Sequence, residues 1–232
     1  MCARPFVRLN MASSLDGKIT SYAYEPPTFT SPYDHARMDF WRAEADALII
    51  GAGTLRIDNP PLHVRDKASQ EKRMTLGKPR DLVTVVVSRS CAIPENNRFF
   101  TSPHITRRIL ATVSNPPHEA LARIPKNVDV FCSEAQTIDV IAVLDYLKGD
   151  YGVESVLLEG GGVLNWDFAA VQAIDEVCVT LAPTLIGGTQ APTLLEGAGF
   201  TLQNRTHLEL VTCEPIENEL FLRYTVKKSP IP

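Results

Sequence analysis

The chain has 232 residues, 44% hydrophobic and 22% charged, with a net charge of −4. This is ordinary globular composition, with enough chain for a sizeable core. The acidic balance, with a sequence pI of about 5.8, argues against a protein that wraps nucleic acid or lies on anionic lipid, since both need a basic face.

No apolar run approaches the ~20 residues that span a bilayer. Residues 1–6 lack the apolar core of a signal peptide, so a cytoplasmic protein is expected. The five cysteines, Cys2, Cys91, Cys132, Cys178 and Cys213, are scattered and form no C-x-x-C pair. Neither a zinc site nor a disulfide framework is indicated. Cys132 and Cys178 fall in apolar strand-like runs and are expected in the core.

Phe6–Asn10 reads as a strand. Small residues (Ala12, Ser13, Ser14) then lead to an Asp16-Gly17 turn and Lys18. Small residues let a flat ligand lie against backbone, and Asp-Gly favours a tight turn. A plain turn between strands explains the same residues. After a loop over 21–30, Ser31 is a plausible N-cap and Pro32 a first helical residue. The spacing of Ala36, Phe40 and Ala43 carries the helix to about Ala45. Arg42 near its end reads most simply as a surface cation that compensates the helix dipole.

Ala47–Ile50 is a second buried strand, followed by Gly51-Ala-Gly-Thr54. Thr54 is placed to cap a helical turn or to contact a phosphate. Asp58-Asn59-Pro60 signals a turn, and a short extended piece from Leu62 to Arg65 follows. Alone, Arg65 would be a solvated charge. Residues 66–79 are polar and patternless and are expected to form a mobile surface loop.

Asp81–Val87 is a β-branched strand ending at Ser88-Arg89. That pair suits the 2′-phosphate of a dinucleotide, although a solvated strand end is the commoner case. Arg108–Val113 and Val128–Phe131 are further strands. Thr137 is expected to cap a helix from Ile138 to Lys148, with Ile138, Ile141, Leu144 and Leu147 facing the core.

Ser155–Asp167 is the most informative stretch. Val156–Leu158 reads as a strand buried on both faces. Glu159 and three consecutive glycines, Gly160, Gly161 and Gly162, then lead into a helix that begins near Val163 and Leu164. Glycines permit close approach, and free amides and the dipole at a helix N-terminus favour an anion, so a pyrophosphate fits. A tight strand-to-helix turn explains the triplet as well. Asp175–Ala182 is the next strand, a glycine-rich loop runs to 199, and His207–Cys213 with Leu220–Val226 forms an antiparallel hairpin. The sum is one α/β domain over 1–232, a largely parallel sheet with about three helices and antiparallel strands at its edge.

Three blocks carry a resemblance: Ala12–Lys18, Gly51–Arg65 and Leu158–Leu164, with Ala182–Gly188 in support. Together they resemble the riboflavin-biosynthesis pyrimidine 5′-phosphate reductases, whose fold is similar to that of dihydrofolate reductase. The resemblance runs from about Pro5 to Val226. It implies a three-layer α/β fold with a mostly parallel sheet, NADPH as hydride donor, and a ribosylaminopyrimidine 5′-phosphate reduced at its ribosyl group to the ribitylamino form.

It also implies a homodimer, with the C-terminal hairpin as candidate interface. Ala12, Thr54, Asp58 and the segment from Gly161 to Asp167 resemble cofactor positions, with Ser88 or Arg89 beside another. Arg42, Leu62, Arg65 and Glu159 resemble substrate positions, so the two arginines become a candidate phosphate clamp. Asp16, Lys18 and Glu159 are candidates to orient or protonate the substrate.

Pro26 and Thr28 stand where bacterial relatives carry a Ser and a Trp. The sequence shows no zinc deaminase domain, which likens it to archaeal and fungal enzymes that reduce the diaminopyrimidinone rather than the amino-uracil. A reductase of another pteridine- or pyrimidine-like substrate, and a non-catalytic NADP(H) sensor, remain as alternatives.

Overall fold

A computed structural model describes residues 4–26 and 28–227; Cys2 lies outside them. Nine strands form one sheet in the order β5-β4-β3-β2-β6-β1-β7-β9-β8. They are β1 (Phe6–Ser14), β2 (Ala47–Gly51), β3 (Val83–Val87), β4 (Arg107–Thr112), β5 (Val128–Cys132), β6 (Ser155–Leu158), β7 (Glu176–Ala182), β8 (His207–Ile216) and β9 (Glu219–Lys227). The first seven run parallel; β9 is antiparallel to β7, and β8 to β9.

Strand β3 is buried along its whole length, as a strand covered on both faces must be. Alternate residues divide the core into two clusters. Ala47, Ile49 and Val85 face one side, where α6 (Val140–Tyr151) and α7 (Gly162–Ala170) contribute Leu144 and Phe168. Leu48, Ile50 and Val86 face the other, where α1 (Pro32–Glu44), α2 (Ala52–Asp58) and α4 (Arg98–Thr101) contribute Trp41, Leu55 and Phe99. That is the expected three-layer arrangement with its C-terminal antiparallel hairpin.

Local signals explain the element ends. The Ser31 hydroxyl accepts from the amides of Tyr33 and Asp34, and Pro32 occupies the first turn of α1. Gly152 in the left-handed region (φ +65°) closes α6.

Several expectations are corrected. Residues 66–79 hold a helix, α3 (Lys67–Thr75), capped by Asp66 through the amide of Ser69. Its buried residues are Ser69 and Arg73, so it carries no apolar stripe. With α5 (His118–Ala122) the described residues hold seven helices, not about three. The cap of α6 is Asp139, not Thr137, and its core face is Val140, Val143, Leu144 and Leu147, with Ile141 exposed. Cys178 is buried, but Cys132 is exposed, because β5 is an edge strand. Among the described residues no helix is long and apolar enough to cross a membrane.

The strand order positions the site. The chain passes from β1 over β6 to β2, and later from β6 over β1 to β7. The direction of winding therefore reverses beside β6, which opens a crevice at the carboxyl ends of the strands. On the β6 side, the β1 ladder ends at Leu9 opposite Leu158, while Asn10 to Ser14 continue along β7. The backbone of Ala12 thus lines the crevice.

Candidate active site at the carboxyl ends of the strands

Glu159 follows β6, its amide donating to the carbonyl of Ile49 (2.9 Å). The glycine turn comes next. Gly160 has φ +78°, and a Cβ there would lie 2.7 Å from Met11 Sδ. Its carbonyl accepts from Gly51 N (2.7 Å), so the turn is stitched to the end of β2. The Gly160–Gly161 peptide is cis.

Gly161 is the N-cap of α7, with no side-chain cap on the first-turn amides. Its own N–H donates to Thr54 Oγ1 at 2.8 Å. Thr54 therefore ties α2 to the turn, and a hydroxyl that accepts keeps its proton to donate. Gly162 is boxed in by the late loop, since a Cβ on it would sit 2.5 Å from Thr193 O. Val163 is exposed, and Leu164 is buried in the core.

Arg42 has 0% side-chain exposure and meets Glu159 in a fork: Nε to Oε1 and Nη2 to Oε2, each 2.7 Å. Its Nη1 donates to the carbonyls of Pro61 (2.8 Å) and His63 (3.0 Å). Burial opposes the charge, but attraction to Glu159 and then Asp39 more than offsets it, so the guanidinium pKa is raised. Arg42 is thus not the surface cation that its place near the end of α1 suggested. It orients Glu159 and fixes the segment that carries Leu62, which is 1% exposed. Arg65 lies beside Asp39 (3.4 Å) and is 36% exposed, so its fork remains within reach of a ligand.

Asp16 Oδ1 accepts from Ser14 Oγ (2.6 Å) and Ile186 N (3.0 Å), and its Oδ2 from Gly187 N (2.6 Å). Those bonds, led by Ser14, hold its carboxyl at about 2. It anchors the late loop to the end of β1. Lys18 Nζ donates to Ala191 O (2.8 Å) from the same turn.

Asp58 differs. Its Oδ1 is buried without a partner, and desolvation pushes its carboxyl up to about 6. Ser88 is buried at the end of β3, and Arg89 is exposed next to it. Arg89 is close enough to Asp167 of α7 for its charge to oppose the rise that burial causes there.

Sequence reasoning missed one participant. Asp39 lies three residues before Arg42, a helical ion-pair spacing that was available as a signal. Asn165, within the segment from Gly161 to Asp167 that resembles cofactor positions, donates to Leu194 O (2.9 Å) and leaves its Oδ1 buried without a partner.

A reversal in strand order, an uncapped helix start and an adjacent buried carboxylate define an α/β protein with its candidate site at the carboxyl ends of the strands. More particularly, the chain belongs to the RibD C-terminal domain family, whose model matches residues 5–222. It is 32% identical over 197 residues to the 2,5-diamino-6-ribosylamino-4(3H)-pyrimidinone 5′-phosphate reductase of Archaeoglobus fulgidus, covering 85% of this chain and 89% of that one.

Among solved structures it is similar to a pyrimidine reductase-like protein of Corynebacterium diphtheriae (TM-score 0.82, 20% identity, 97% of this chain and 93% of the other). It is also similar in fold to dihydrofolate reductase of Enterococcus faecalis complexed with NADP(H) (TM-score 0.51, 14% identity, 96% and 97%). The family drawn from the three sequence blocks is therefore the family found, and the chain is an enzyme of the reductase class.

Proposed function

We propose that this protein uses NADPH to reduce the ribosyl group of 2,5-diamino-6-ribosylamino-4(3H)-pyrimidinone 5′-phosphate to the ribitylamino form. The name of the Archaeoglobus relative supports that substrate over the amino-uracil. The observation that carries the reading is the uncapped α7 amides next to Glu159, an anion site beside a carboxylate at the switch point of the sheet.

The residues fit the cofactor. The amides from Gly162 to Leu164 suit a pyrophosphate, and the backbone of Ala12 suits an amide-bearing ring. Thr54 and the orphaned oxygen of Asp58 offer a donor and an acceptor for sugar hydroxyls. Ser88 and Arg89 suit a 2′-phosphate. When bound, the cofactor supplies the hydride.

The remaining work falls to side chains. Reduction of the ring-opened imine needs a hydride at C1′ and a proton at the adjoining nitrogen. Lys18 is the available cationic donor, since Asp16 is held ionised. Glu159, fixed by Arg42, accepts from the substrate hydroxyls and orients C1′. Arg65 takes part in holding the phosphate.

NADPH deuterated at both hydride positions tests this reading. The label should appear once in the ribityl product by mass spectrometry; turnover with an unlabelled product would overturn it. The homodimer is likewise a proposal, supported by the exposed Leu208, Leu210 and Val211 on edge strand β8. Sedimentation should give twice the mass of one chain.

A further inference from the structure

The sheet brings a second carboxylate to the crevice that holds Glu159. Strands β6, β1 and β7 are neighbours, and alternation sorts their residues between two faces. Leu158, Leu9 and Val177 pack on the side of α6 and α7. Leu157 and Cys178 pack on the side of α1. By the same alternation Glu159, Ala12 and Thr180 lie on the α1 side at the carboxyl ends of the three strands. Ala12 is opposite Thr180, and the fork to Arg42 of α1 holds Glu159 on that side. Two strand spacings, ~10 Å, separate Glu159 from Thr180 across β1.

Asp34, in the first turn of α1, meets Thr180 there: the hydroxyls of Thr180 and Thr30 donate to its carboxyl. This end of α1 is held to the head of β9, where Glu219 accepts from the amide (2.8 Å) and the hydroxyl of Ser31. Asp34 and Arg42 are eight residues apart, ~12 Å along the axis, so α1 runs along the crevice from Asp34 to the Glu159 fork. The carboxylates of Asp39, Glu44, Glu159, Glu176 and Glu214 each meet an arginine. Among the described residues Asp34 meets no lysine or arginine. Burial first raises its pKa against the two hydroxyls, Glu219 adds to the rise, and His35 opposes it. What this carboxylate lacks is N–H donors for its remaining lone pairs.

We propose that Asp34, oriented by Thr180, accepts from the N3–H and the 2-amino group of the diaminopyrimidinone ring and so selects that ring over amino-uracil. The inference rests on the proposed reductase reading and deepens it. In this ring N3 stands opposite C6, the carbon that carries the ribosylamino group. An acceptor for N3–H therefore belongs on the far side of the ring from C1′, as Asp34 lies on the far side of β1 from Glu159. Ordinary bond lengths put N3 ~5 Å from C1′. A hydrogen bond of ~3 Å at either end makes a span that fits the ~10 Å between the two positions. Amino-uracil has the same N3–H but a carbonyl at C2. Its lone pairs would face a carboxylate oxygen, so one hydrogen bond is exchanged for a repulsion.

Asp34→Asn tests the assignment, because the amide keeps the shape and replaces one acceptor by a donor that suits a C2 carbonyl. The kcat/KM for the diaminopyrimidinone ribosyl phosphate should fall about a hundredfold, and that for the amino-uracil compound should rise about tenfold. Asp34→Ala should show the same fall without the rise. In both variants the NADPH Kd should stay within twofold, which reads the fold and the cofactor site together. Calorimetry with each ribosyl phosphate, in the absence of NADPH, should give the same order of affinities.

Unchanged selectivity in the variants, an equal loss of both compounds in Asp34→Asn, or equal affinity of the wild type for the two would overturn the assignment. If the wild type binds the diaminopyrimidinone compound more tightly, loses that preference in Asp34→Asn and yet reduces neither, the reductase reading fails and the ring recognition stands. If it reduces the diaminopyrimidinone and the variants keep its preference, only the ring recognition fails.

Discussion

Arg42 and Glu159, 117 residues apart, form two parallel hydrogen bonds of 2.7 Å with side-chain exposures of 0% and 8%. Such a pair is costly to break from one side, because the surviving charge stays buried. Arg42→Ala should therefore lower stability by ~3–5 kcal/mol, read from urea unfolding. Arg42→Lys should recover little of this, since an ammonium cannot reproduce the fork. A change under ~1 kcal/mol would mean that Glu159 has water or another partner in reach.

Asp58 yields a pH prediction. Its folded pKa of about 6 lies above the ordinary 3.8 because of burial. A raised carboxyl stabilises most below the unfolded pKa, and the contribution is lost as pH rises through the folded one. Asp58→Asn should thus make the free protein more stable at pH 8 and flatten its stability between about pH 4 and 6. With half the group reached by water, the gain should be on the order of 1 kcal/mol rather than the full shift. The same change should weaken NADPH binding, because an acceptor is exchanged for a mixed donor and acceptor. Calorimetry with NADPH checks the second half.

Two glycines should behave in opposite ways. A Cβ on Gly162 would meet Thr193 O at 2.5 Å and Glu196 Cγ at 2.7 Å, whereas one on Gly53 meets nothing within 4 Å. Gly162→Ala must displace the 193–196 loop and should cut NADPH affinity at least tenfold. Gly53→Ala, inside α2, should leave binding unchanged and raise stability by ~0.5–1 kcal/mol. Equal NADPH Kd values for the two variants would separate the glycine turn from the cofactor.

Arg73 is 1% exposed and donates to the carbonyls of Arg42, Pro79 and Asp81 (3.2, 2.6 and 3.4 Å) as well as to Ala45. It closes the end of α1 from α3. Arg73→Met keeps much of the volume but orphans those carbonyls. Thermal denaturation should show a loss of ~3 kcal/mol or more.

These residues also explain what could be read in advance. Strands β2 and β3 announced themselves as apolar runs because both faces are covered, and Ser31-Pro32 marked α1 because capping is local chemistry. The glycine turn was legible for the same reason. Helix α3 was not, since the residue it inserts into the protein is Arg73, and an arginine leaves no hydrophobic period. The fork between Arg42 and Glu159 was hidden because a pair that distant has no local signature; the place of Glu159 at the carboxyl end of a strand pointed to the crevice, but only the family resemblance pointed to Arg42. Cys132 and Ile141 were misplaced by reading apolar character as burial: one is on an edge strand and the other on the outer side of α6.

The most direct measurement is the loss of NADPH absorbance when the diaminopyrimidinone and the amino-uracil ribosyl phosphates are offered separately. The account predicts rapid oxidation with the diaminopyrimidinone and much slower oxidation with the amino-uracil. NADPH that binds by calorimetry yet survives both compounds would contradict it.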